Sequence, residues 1–420
     1  MVRKSVYCLF AVSLLLASGG AAHADWSACG TARNPAVGTL DEQTWRRLSA
    51  IHDVIGEGRY DEAYGNLRSM LERAGRDVYL QAILIQALAQ VTWARGDSDL
   101  ALGYFETAHE LDALPDSAHY GLLYSAAQIY FMNDQLEEAG ERLERWFCAV
   151  PAEEITAAAW VLKASILAHL GEFVGALEAI DAAIDMEEAP SEDWYQLKLA
   201  AQYELEQYEP AVDTLNTLLA RWPERKRYWV QLAQTHYALG QDQRALAVQA
   251  LAYRNGLLEE SSDVLFLAGL YSKLQLPYKA AAVLEQAIRD GILAADRGQW
   301  AQVAESWYAA GELERALAAW ESAGRAADDG LTDLHRGYLL VDLERWTAAL
   351  EALNRSLARG GLDEQKAGEA LLLRGMVHFR LGDLDGAGAD WDRAGRFGSS
   401  REAARQWLVY LKEERRRRAS

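Results

Sequence analysis

Proline, cysteine and basic residues are all scarce in this chain of 420 residues. It contains only seven prolines and three cysteines, and its 42 lysines and arginines face 62 aspartates and glutamates. Proline usually makes up about one residue in twenty, so its scarcity argues against a strand-and-turn fold and against a Pro-rich linker. A nucleic-acid binder needs a basic face that displaces phosphate counterions. The acidic balance therefore argues against that class as well.

Apolar and aromatic residues are abundant instead. Half of the chain is hydrophobic, with 14 tryptophans and 19 tyrosines, and the mean hydropathy is -0.18. This content is too high for a collagen-like, mucin-like or disordered chain. Beyond the N-terminus, no stretch approaches the roughly 18 consecutive apolar residues that a membrane-spanning helix needs. The composition predicts an all-helical, soluble protein.

The first 24 residues have the pattern of a secretory signal peptide. Arg3 and Lys4 form a short positive region, residues 6–17 are apolar, and Ala-His-Ala at 22–24 supplies the small residues that precede a cleavage site. The apolar run is too short to span a bilayer. We therefore predict that residues 1–24 are a signal peptide cleaved before Asp25, and that the mature chain is exported. An N-terminal membrane anchor is the alternative.

Export changes how the three cysteines are interpreted. Cys8 leaves with the signal peptide, so Cys29 and Cys148 are the cysteines of the mature chain. An oxidising compartment permits a disulfide between these two residues. The alternative is that Cys148 is simply a small, buried apolar residue. Two cysteines without histidines at ligand spacing do not make a structural zinc site, and we expect no metal.

A six-residue pattern ending in alanine recurs ten times along the chain. Clear copies are GRYDEA at 58–63, GELERA at 311–316 and GDLDGA at 382–387, and weaker copies include DQLEEA at 134–139. The final alanines are separated by 33 to 38 residues, close to the tetratricopeptide period of about 34. The ten anchor alanines are Ala63, Ala101, Ala139, Ala176, Ala211, Ala245, Ala280, Ala316, Ala349 and Ala387.

Residues around each anchor alanine follow the same register. Nineteen residues earlier a first helix begins, and its position 8 must be small because two helices cross closely there. That position holds Ala89, Ala127, Ala164, Ala233, Ala268, Ala304, Gly337 and Gly375. Four residues after the anchor comes a bulky side chain: Phe105, Leu143, Ile180, Leu215, Leu284, Trp320, Leu353 and Trp391. The pattern predicts an all-α fold, a right-handed α-solenoid of about ten tetratricopeptide-like helical hairpins with a C-terminal capping helix.

The repeat also divides the chain into segments. We predict an N-terminal lead-in over residues 25–41, the solenoid over 42–398, and a capping helix with a basic tail over 399–420. Residues 415–418 are four arginines at the C-terminal end of that helix, where cations suit the helix dipole. We interpret these arginines as the solvent-exposed end of the helix. The alternative is that they bind an anionic membrane surface.

No recognisable catalytic motif is present. The phosphate-binding loop, the HExxH zinc motif and the nucleophile elbow are all missing from the sequence. His236 and His378 fall at a core position of the repeat, and His109 and His119 lie in different segments, so neither pair suggests a metal site. Acidic pairs such as Glu137-Glu138 are adjacent on a helix, and adjacent side chains point about 100° apart. We expect no enzyme and no cofactor.

Position 12 of the first helix is aromatic in six of nine repeats. In this architecture positions 2, 5, 9, 12 and 13 line the concave surface, where aromatic area and amide groups suit an extended peptide. The alternative is that these rings only pack, since tyrosine is common at this position. Repeats five to eight are the preferred site. The candidate groove residues are Trp93, Phe131, Gln196, Tyr203, Gln231, Gln234, Tyr237, Gln302, Glu305 and Tyr308.

The chain resembles the exported tetratricopeptide proteins that are encoded alongside TonB–ExbB–ExbD energy-transduction genes in Gram-negative bacteria. The stretches that carry the resemblance are 39–63, 225–260, 276–291, 344–362 and 403–411. Gln249 departs from it, because a glutamate is more typical there. The resemblance implies a periplasmic adaptor that works with the TonB system in receptor-driven uptake of iron chelates or haem. It carries over no binding residues.

Two functions of different class follow from these observations. The first is a periplasmic scaffold that binds one defined partner, a TonB-complex component, through its concave face. The second is a chaperone-like envelope-assembly factor that holds many outer-membrane protein clients weakly. An enzyme is disfavoured because the repeats provide no active site.

Overall fold

The computed structural model describes residues 33, 35, 38–326 and 330–419. Across these residues it contains 21 α-helices, one 3₁₀ turn and no strand. The predicted all-α fold of tetratricopeptide-like hairpins is confirmed. The chain divides into two compact units, one ending at Glu206 (unit 1) and one beginning at Gln207 (unit 2).

Unit 1 is a succession of antiparallel helical hairpins. The pairs α1–α2, α3–α4, α5–α6 and α7–α8 each bring a first and a second helix together, and α9 packs on α8. The helices are α1 (Glu42–Gly56), α2 (Tyr60–Arg73), α3 (Val78–Ala94), α4 (Ser98–Glu110), α5 (Asp116–Met132), α6 (Leu136–Ala149), α7 (Ala157–His169), α8 (Phe173–Asp185) and α9 (Glu192–Glu204), with a 3₁₀ turn at Ala152–Glu154.

Unit 2 continues the same alternation of first and second helices. Helix α10 packs on α11, five hairpins follow from α11 to α20, and α21 packs on α20. The helices are α10 (Tyr208–Arg221), α11 (Lys226–Ala238), α12 (Asp242–Arg254), α13 (Ser261–Lys273), α14 (Pro277–Arg289), α15 (Arg297–Ala309), α16 (Leu313–Ala326), α17 (Gly330–Asp342), α18 (Trp346–Arg359), α19 (Glu364–Arg380), α20 (Leu384–Ala394) and α21 (Arg401–Ala419).

The repeat register read from the sequence matches the packing. All ten anchor alanines are completely buried, at 0% exposure. The bulky residues four positions later are buried as well, from Phe105 to Trp391. At position 8, a Cβ added to Gly337 would lie 2.7 Å from Leu353 Cδ2, and one added to Gly375 would lie 2.6 Å from Trp391 Cδ1. Small residues at these positions therefore let each pair of helices cross in contact.

The turn inside each hairpin has one repeated backbone feature. The first residue of the six-residue pattern adopts positive φ in every copy that joins a first helix to a second. Six copies place glycine there: Gly58, Gly96, Gly171, Gly240, Gly311 and Gly382. The four weaker copies place Asp134, Glu206, Gln275 and Glu344 there instead, with φ between 54° and 60°. Glycine opens the clear copies because it alone adopts this conformation without strain.

Helix α21 closes unit 2. The indole of Trp407 stacks on that of Trp391, with ring centres 5.1 Å apart and planes 17° apart. Leu411 is buried in the same apolar cluster, which also contains Ala387. Arg415 donates to a carboxylate oxygen of Asp385 at 2.6 Å, so this arginine of the basic tail is ion-paired. Across the described residues, no helix combines the length and apolar character needed to cross a bilayer.

Candidate functional site

Two of the predicted groove residues in unit 2 are exposed aromatic rings. Tyr237 in α11 and Tyr308 in α15 occupy position 12 of their repeats and are 38% and 52% exposed. Large aromatic side chains usually bury most of their area. The residue at the same position of the intervening α13 is Ser272, which is exposed and small. Apolar area is therefore presented to solvent at these positions of α11 and α15.

The ring of Tyr237 is held by two residues of α13. The Nζ atom of Lys273 lies 4.3 Å from the ring centre, within the range of a cation–π interaction. Phe266 contacts the ring edge-to-face, with centroids 5.6 Å apart. Lys273 is fixed in turn by Asp242, whose carboxylate accepts a hydrogen bond of 2.7 Å and raises the pKa of the lysine. Tyr237 is thus exposed and at the same time in contact with two side chains of α13.

Tyr308 is fixed through its hydroxyl group. The hydroxyl donates a hydrogen bond to Asp342 Oδ2 at 3.1 Å, which joins α15 to α17. The same hydrogen bond to a carboxylate raises the pKa of Tyr308, since ionising the phenol would place two negative charges together. The hydroxyl therefore remains protonated at neutral pH, and the hydrogen bond restrains a ring that has half of its area exposed.

The polar groove residues predicted in unit 2 differ in their exposure to solvent. Gln234 in α11 and Gln302 and Glu305 in α15 are exposed, on the two helices that carry the exposed tyrosines. Gln231 is half-buried, and its Oε1 atom has no hydrogen-bond partner among the described residues. The exposed amides and the carboxylate are available to pair with the backbone of a bound segment.

The candidates of unit 1 are less exposed. Trp93, Phe131, Gln196 and Tyr203 are all half-buried. Trp93 meets Phe105 edge-to-face at 6.5 Å between ring centres, and Phe131 meets His169 in the same way at 5.4 Å. These rings pack within unit 1, and only part of each is presented to solvent. Among the candidate groove residues, the aromatic rings of unit 1 are therefore packed, whereas Tyr237 and Tyr308 of unit 2 are exposed. Phe379, at position 12 of α19 in unit 2, is half-buried and packs on Trp391.

Sequence reasoning missed an apolar pocket near the end of unit 2. The cavity, of about 220 Å³, lies between α17, α19 and α21. The hydroxyl of Tyr338 donates to Glu369 Oε2 at 3.2 Å, and burial first, then this carboxylate, raises the pKa of Tyr338 to about 12. The lining residues are Tyr338, Glu369, Leu372, Leu373, Met376 and Trp407. Four of these residues, Tyr338, Glu369, Leu372 and Met376, occupy positions 2, 5 or 9 of their repeats, which are predicted to be concave. Applying the same repeat positions to the helices after Tyr308 would therefore have identified them from the sequence.

Four histidines make contacts with neighbouring side chains of the repeats. His236 is buried, as predicted, and its Nδ1 lies 2.8 Å from Gln241 Oε1. His378 is half-buried and its Nδ1 lies 2.8 Å from Asp383 Oδ2. His109 and His119, from different helices, stack with ring centres 4.1 Å apart. Within the part of the chain that the structure describes, no three histidine, cysteine or acidic side chains come together as metal ligands.

The structure describes one of the two cysteines that are predicted to pair. Cys148, near the end of α6, is disulfide-bonded. Cys29 lies outside the described residues, so its pairing with Cys148 stays a prediction.

Comparison with known proteins finds a family match in two parts of the chain. A family model described as tetratricopeptide repeat matches residues 200–256 and 334–403. A crystal structure of a tetratricopeptide repeat protein from Parabacteroides merdae is 16% identical, with a TM-score of 0.32, and covers 61% of this chain and 98% of its own. YrrB, a TPR protein with an unusual peptide-binding site, is 16% identical with a TM-score of 0.37, over 44% of this chain and 89% of its own. The TPR2AB domain of yeast Sti1 is 14% identical with a TM-score of 0.31, over 61% and 98%. No curated protein matches the chain.

Proposed function

We propose that this tetratricopeptide-repeat chain is a non-enzymatic scaffold that binds an extended segment of a protein partner. The site is the row of concave helix positions in unit 2, with Tyr237 and Tyr308 as its aromatic anchors. Helical repeat arrays present extended concave surfaces of this kind to their partners.

The observation that carries this proposal is that both rings are exposed and yet fixed. Lys273 and Phe266 hold Tyr237, and Asp342 holds Tyr308. Immobilising a side chain on binding costs about 0.5–1.5 kcal/mol. Rings that are already held avoid most of this cost, and tyrosine is among the residues that dominate binding energy at interfaces. The two tyrosines are therefore organised for contact with a partner before the partner arrives.

Polar groups around the rings suit a peptide backbone. Gln234 and Glu305, both at position 9 of their repeats, offer an amide and a carboxylate, and Gln302, at the neighbouring position 6, offers a second amide. All three are exposed to solvent. The pocket beside Tyr338 and Met376 provides room for one apolar side chain of the same segment. The arrangement of fixed anchors favours one defined partner over many weakly held clients, because specific anchors select for matching side chains.

The partner that we propose is a component of the TonB system, and the location is the periplasm. The resemblance of residues 225–260 and 344–362 to exported proteins of that system supports the partner, and the signal-like pattern of residues 1–24 supports export. The proposed role is that of an accessory adaptor in TonB-dependent uptake of iron chelates or haem.

A crosslinking experiment tests the proposed function. Envelope preparations that express the chain are treated with a bifunctional lysine crosslinker, and captured proteins are identified by mass spectrometry. We expect one dominant partner from the TonB system, lost in a Tyr237→Ala, Tyr308→Ala variant. The matched control is Tyr278→Ala, which removes an exposed tyrosine from the second helix α14. Many clients captured at low yield would favour the chaperone-like function, and unchanged capture by the double variant would contradict the site.

A further inference from the structure

A second cavity lies in unit 1, on residues that do not belong to the concave positions. It measures about 420 Å³ and is lined by α6, α7 and α8. Its apolar lining includes Leu143 of α6 and Trp160, Ile166 and Leu167 of α7. These α7 residues occupy positions 4, 10 and 11 of the repeat, so the cavity is separate from any surface formed by positions 2, 5, 9, 12 and 13.

Four charged side chains also line this cavity. Lys163 Nζ lies 2.6 Å from Glu144 Oε1, so these two charges compensate each other. The same ammonium group lies 4.9 Å from the ring centre of Phe147 and 5.5 Å from that of Trp160. Trp160, the aromatic residue of the cavity lining, is therefore already in cation–π contact with an ammonium group.

Two carboxylates remain uncompensated. Glu172 and Glu178 line the cavity, and no cation among the described residues is paired with either of them. Glu178 lies three residues after Gly175 and therefore near it on the surface of α8, whereas Glu172 immediately precedes the helix. Gly175 has no side chain, and a Cβ there would lie 3.2 Å from Leu167 Cδ1. Gly175 therefore lets the backbone of α8 approach Leu167 of α7 closely, and the cavity lies beside this contact.

Charge is distributed very unevenly between the two halves of the chain. Residues up to 206 contain 14 lysines and arginines against 32 aspartates and glutamates, whereas residues from 207 contain 28 against 30. Nearly all of the net negative charge therefore belongs to the half that contains the cavity. A field of one sign attracts oppositely charged partners and concentrates them near the surface.

We propose that the cavity binds an arginine side chain from a basic segment of a protein partner. The guanidinium group lies between Glu172 and Glu178, and its stem packs on Trp160 and Leu167. Arginine suits this site better than lysine because its planar guanidinium pairs with carboxylates and stacks on aromatic rings at the same time. This site does not depend on the surface of unit 2.

A labelled peptide tests the proposal directly. The probe is a fluorescein-labelled peptide of alternating arginine and glycine, and its control replaces each arginine with citrulline, which has the same shape but no charge. Binding to the full chain is measured by fluorescence anisotropy at two salt concentrations. We expect the arginine peptide to bind, the citrulline peptide to bind at least about tenfold more weakly, and high salt to weaken the first.

Two variants locate the binding. The double variant Glu172→Gln, Glu178→Gln should bind the arginine peptide about tenfold more weakly. The matched control, Glu187→Gln with Glu188→Gln, changes net charge equally at two exposed carboxylates outside the cavity and should have little effect. Gly175→Leu keeps every charge but fills the space, and should also abolish binding.

Each outcome decides the question. Equal weakening by both glutamine pairs would show general charge attraction and overturn the site. Binding unchanged in Gly175→Leu, with an unchanged circular-dichroism spectrum, would overturn it as well. If Gly175→Leu does not fold, the comparison between the two double glutamine variants still tests the site. Tyr237→Ala should leave this binding unchanged, so failure here is distinguishable from failure of the function proposed for unit 2.

Discussion

The imidazole rings of His109 and His119 stack at 4.1 Å between centres, one at the end of α4 and the other at the start of α5. Burial is the largest cause that lowers the pKa of both, and it brings the pKa of His119 to about 4. Two neutral rings pack well, whereas two charged rings would repel each other. The groups that face the pair are Arg33, Glu106, Asp112, Asp116, Arg142 and Arg145.

This pair predicts acid sensitivity of unit 1. The pKa of His119 is about 4 in the folded chain and about 6.5 when unfolded, so the unfolded chain binds the extra proton between these values. The free energy of unfolding should therefore fall as pH drops from about 6.5 to 4, by up to about 3 kcal/mol. Urea unfolding at pH 7.5 and at pH 4.5 measures it.

The control for acid sensitivity is an exposed histidine. His119→Phe keeps an aromatic ring in the stack and should lose much of the pH dependence, whereas His52→Phe changes an exposed residue and should keep it. An equal pH dependence of wild type and His119→Phe would contradict the assignment.

A second prediction concerns the strained turns. Gln275 and Glu344 have φ of 58° and 54°, where a non-glycine residue costs about 1–2 kcal/mol. Replacing either with glycine removes this strain, partly offset by greater freedom of the unfolded chain. We expect Gln275→Gly to raise the free energy of unfolding by about 0.5–1 kcal/mol. The reverse change, Gly96→Ala, should lower it, and a loss of stability in Gln275→Gly would refute the account of the turns.

A third prediction concerns the helix crossing at Gly375. An added methyl group would collide with the indole of Trp391, which is fully buried and unable to move away. Gly375→Ala should therefore destabilise unit 2 by about 1–3 kcal/mol. Gly269→Ala is the control, because Gly269 lies in a helix with open space around its Cβ position. It should be neutral or stabilising, since alanine favours helix; thermal melting of both variants checks the contrast.

Much of the fold was predictable because the repeat is local. Ala63 and the nine other anchors recur at a near-constant period, and each is buried for the same reason, the close crossing of two helices. Contacts between distant segments do not recur at a fixed spacing along the sequence. Arg33 bonds to Asp112 at 2.6 Å across 79 residues, and nothing in the sequence around either residue signals the contact.

The candidate site was predictable only in part. The register placed Tyr237 and Tyr308 on one helix position, but it does not distinguish an exposed ring from a packed one. That difference depends on neighbours: Phe105 covers part of Trp93, whereas Lys273 leaves much of Tyr237 open. Gly175 lines the cavity between α6, α7 and α8, and the repeat pattern treats its position as an ordinary surface position.

Tyr237 and Tyr308 are proposed to bind a partner and to contribute little to the stability of the fold. The most direct measurement is the melting temperature and the affinity for the crosslinked partner of Tyr237→Ala and Tyr308→Ala, determined on the same preparations. A binding anchor typically costs about 2 kcal/mol or more of affinity when truncated, whereas a core aromatic costs roughly 3–5 kcal/mol of stability. We expect weakened binding on an intact fold for at least one of the two. A large fall in melting temperature, or unchanged melting with unchanged affinity, would contradict the claim.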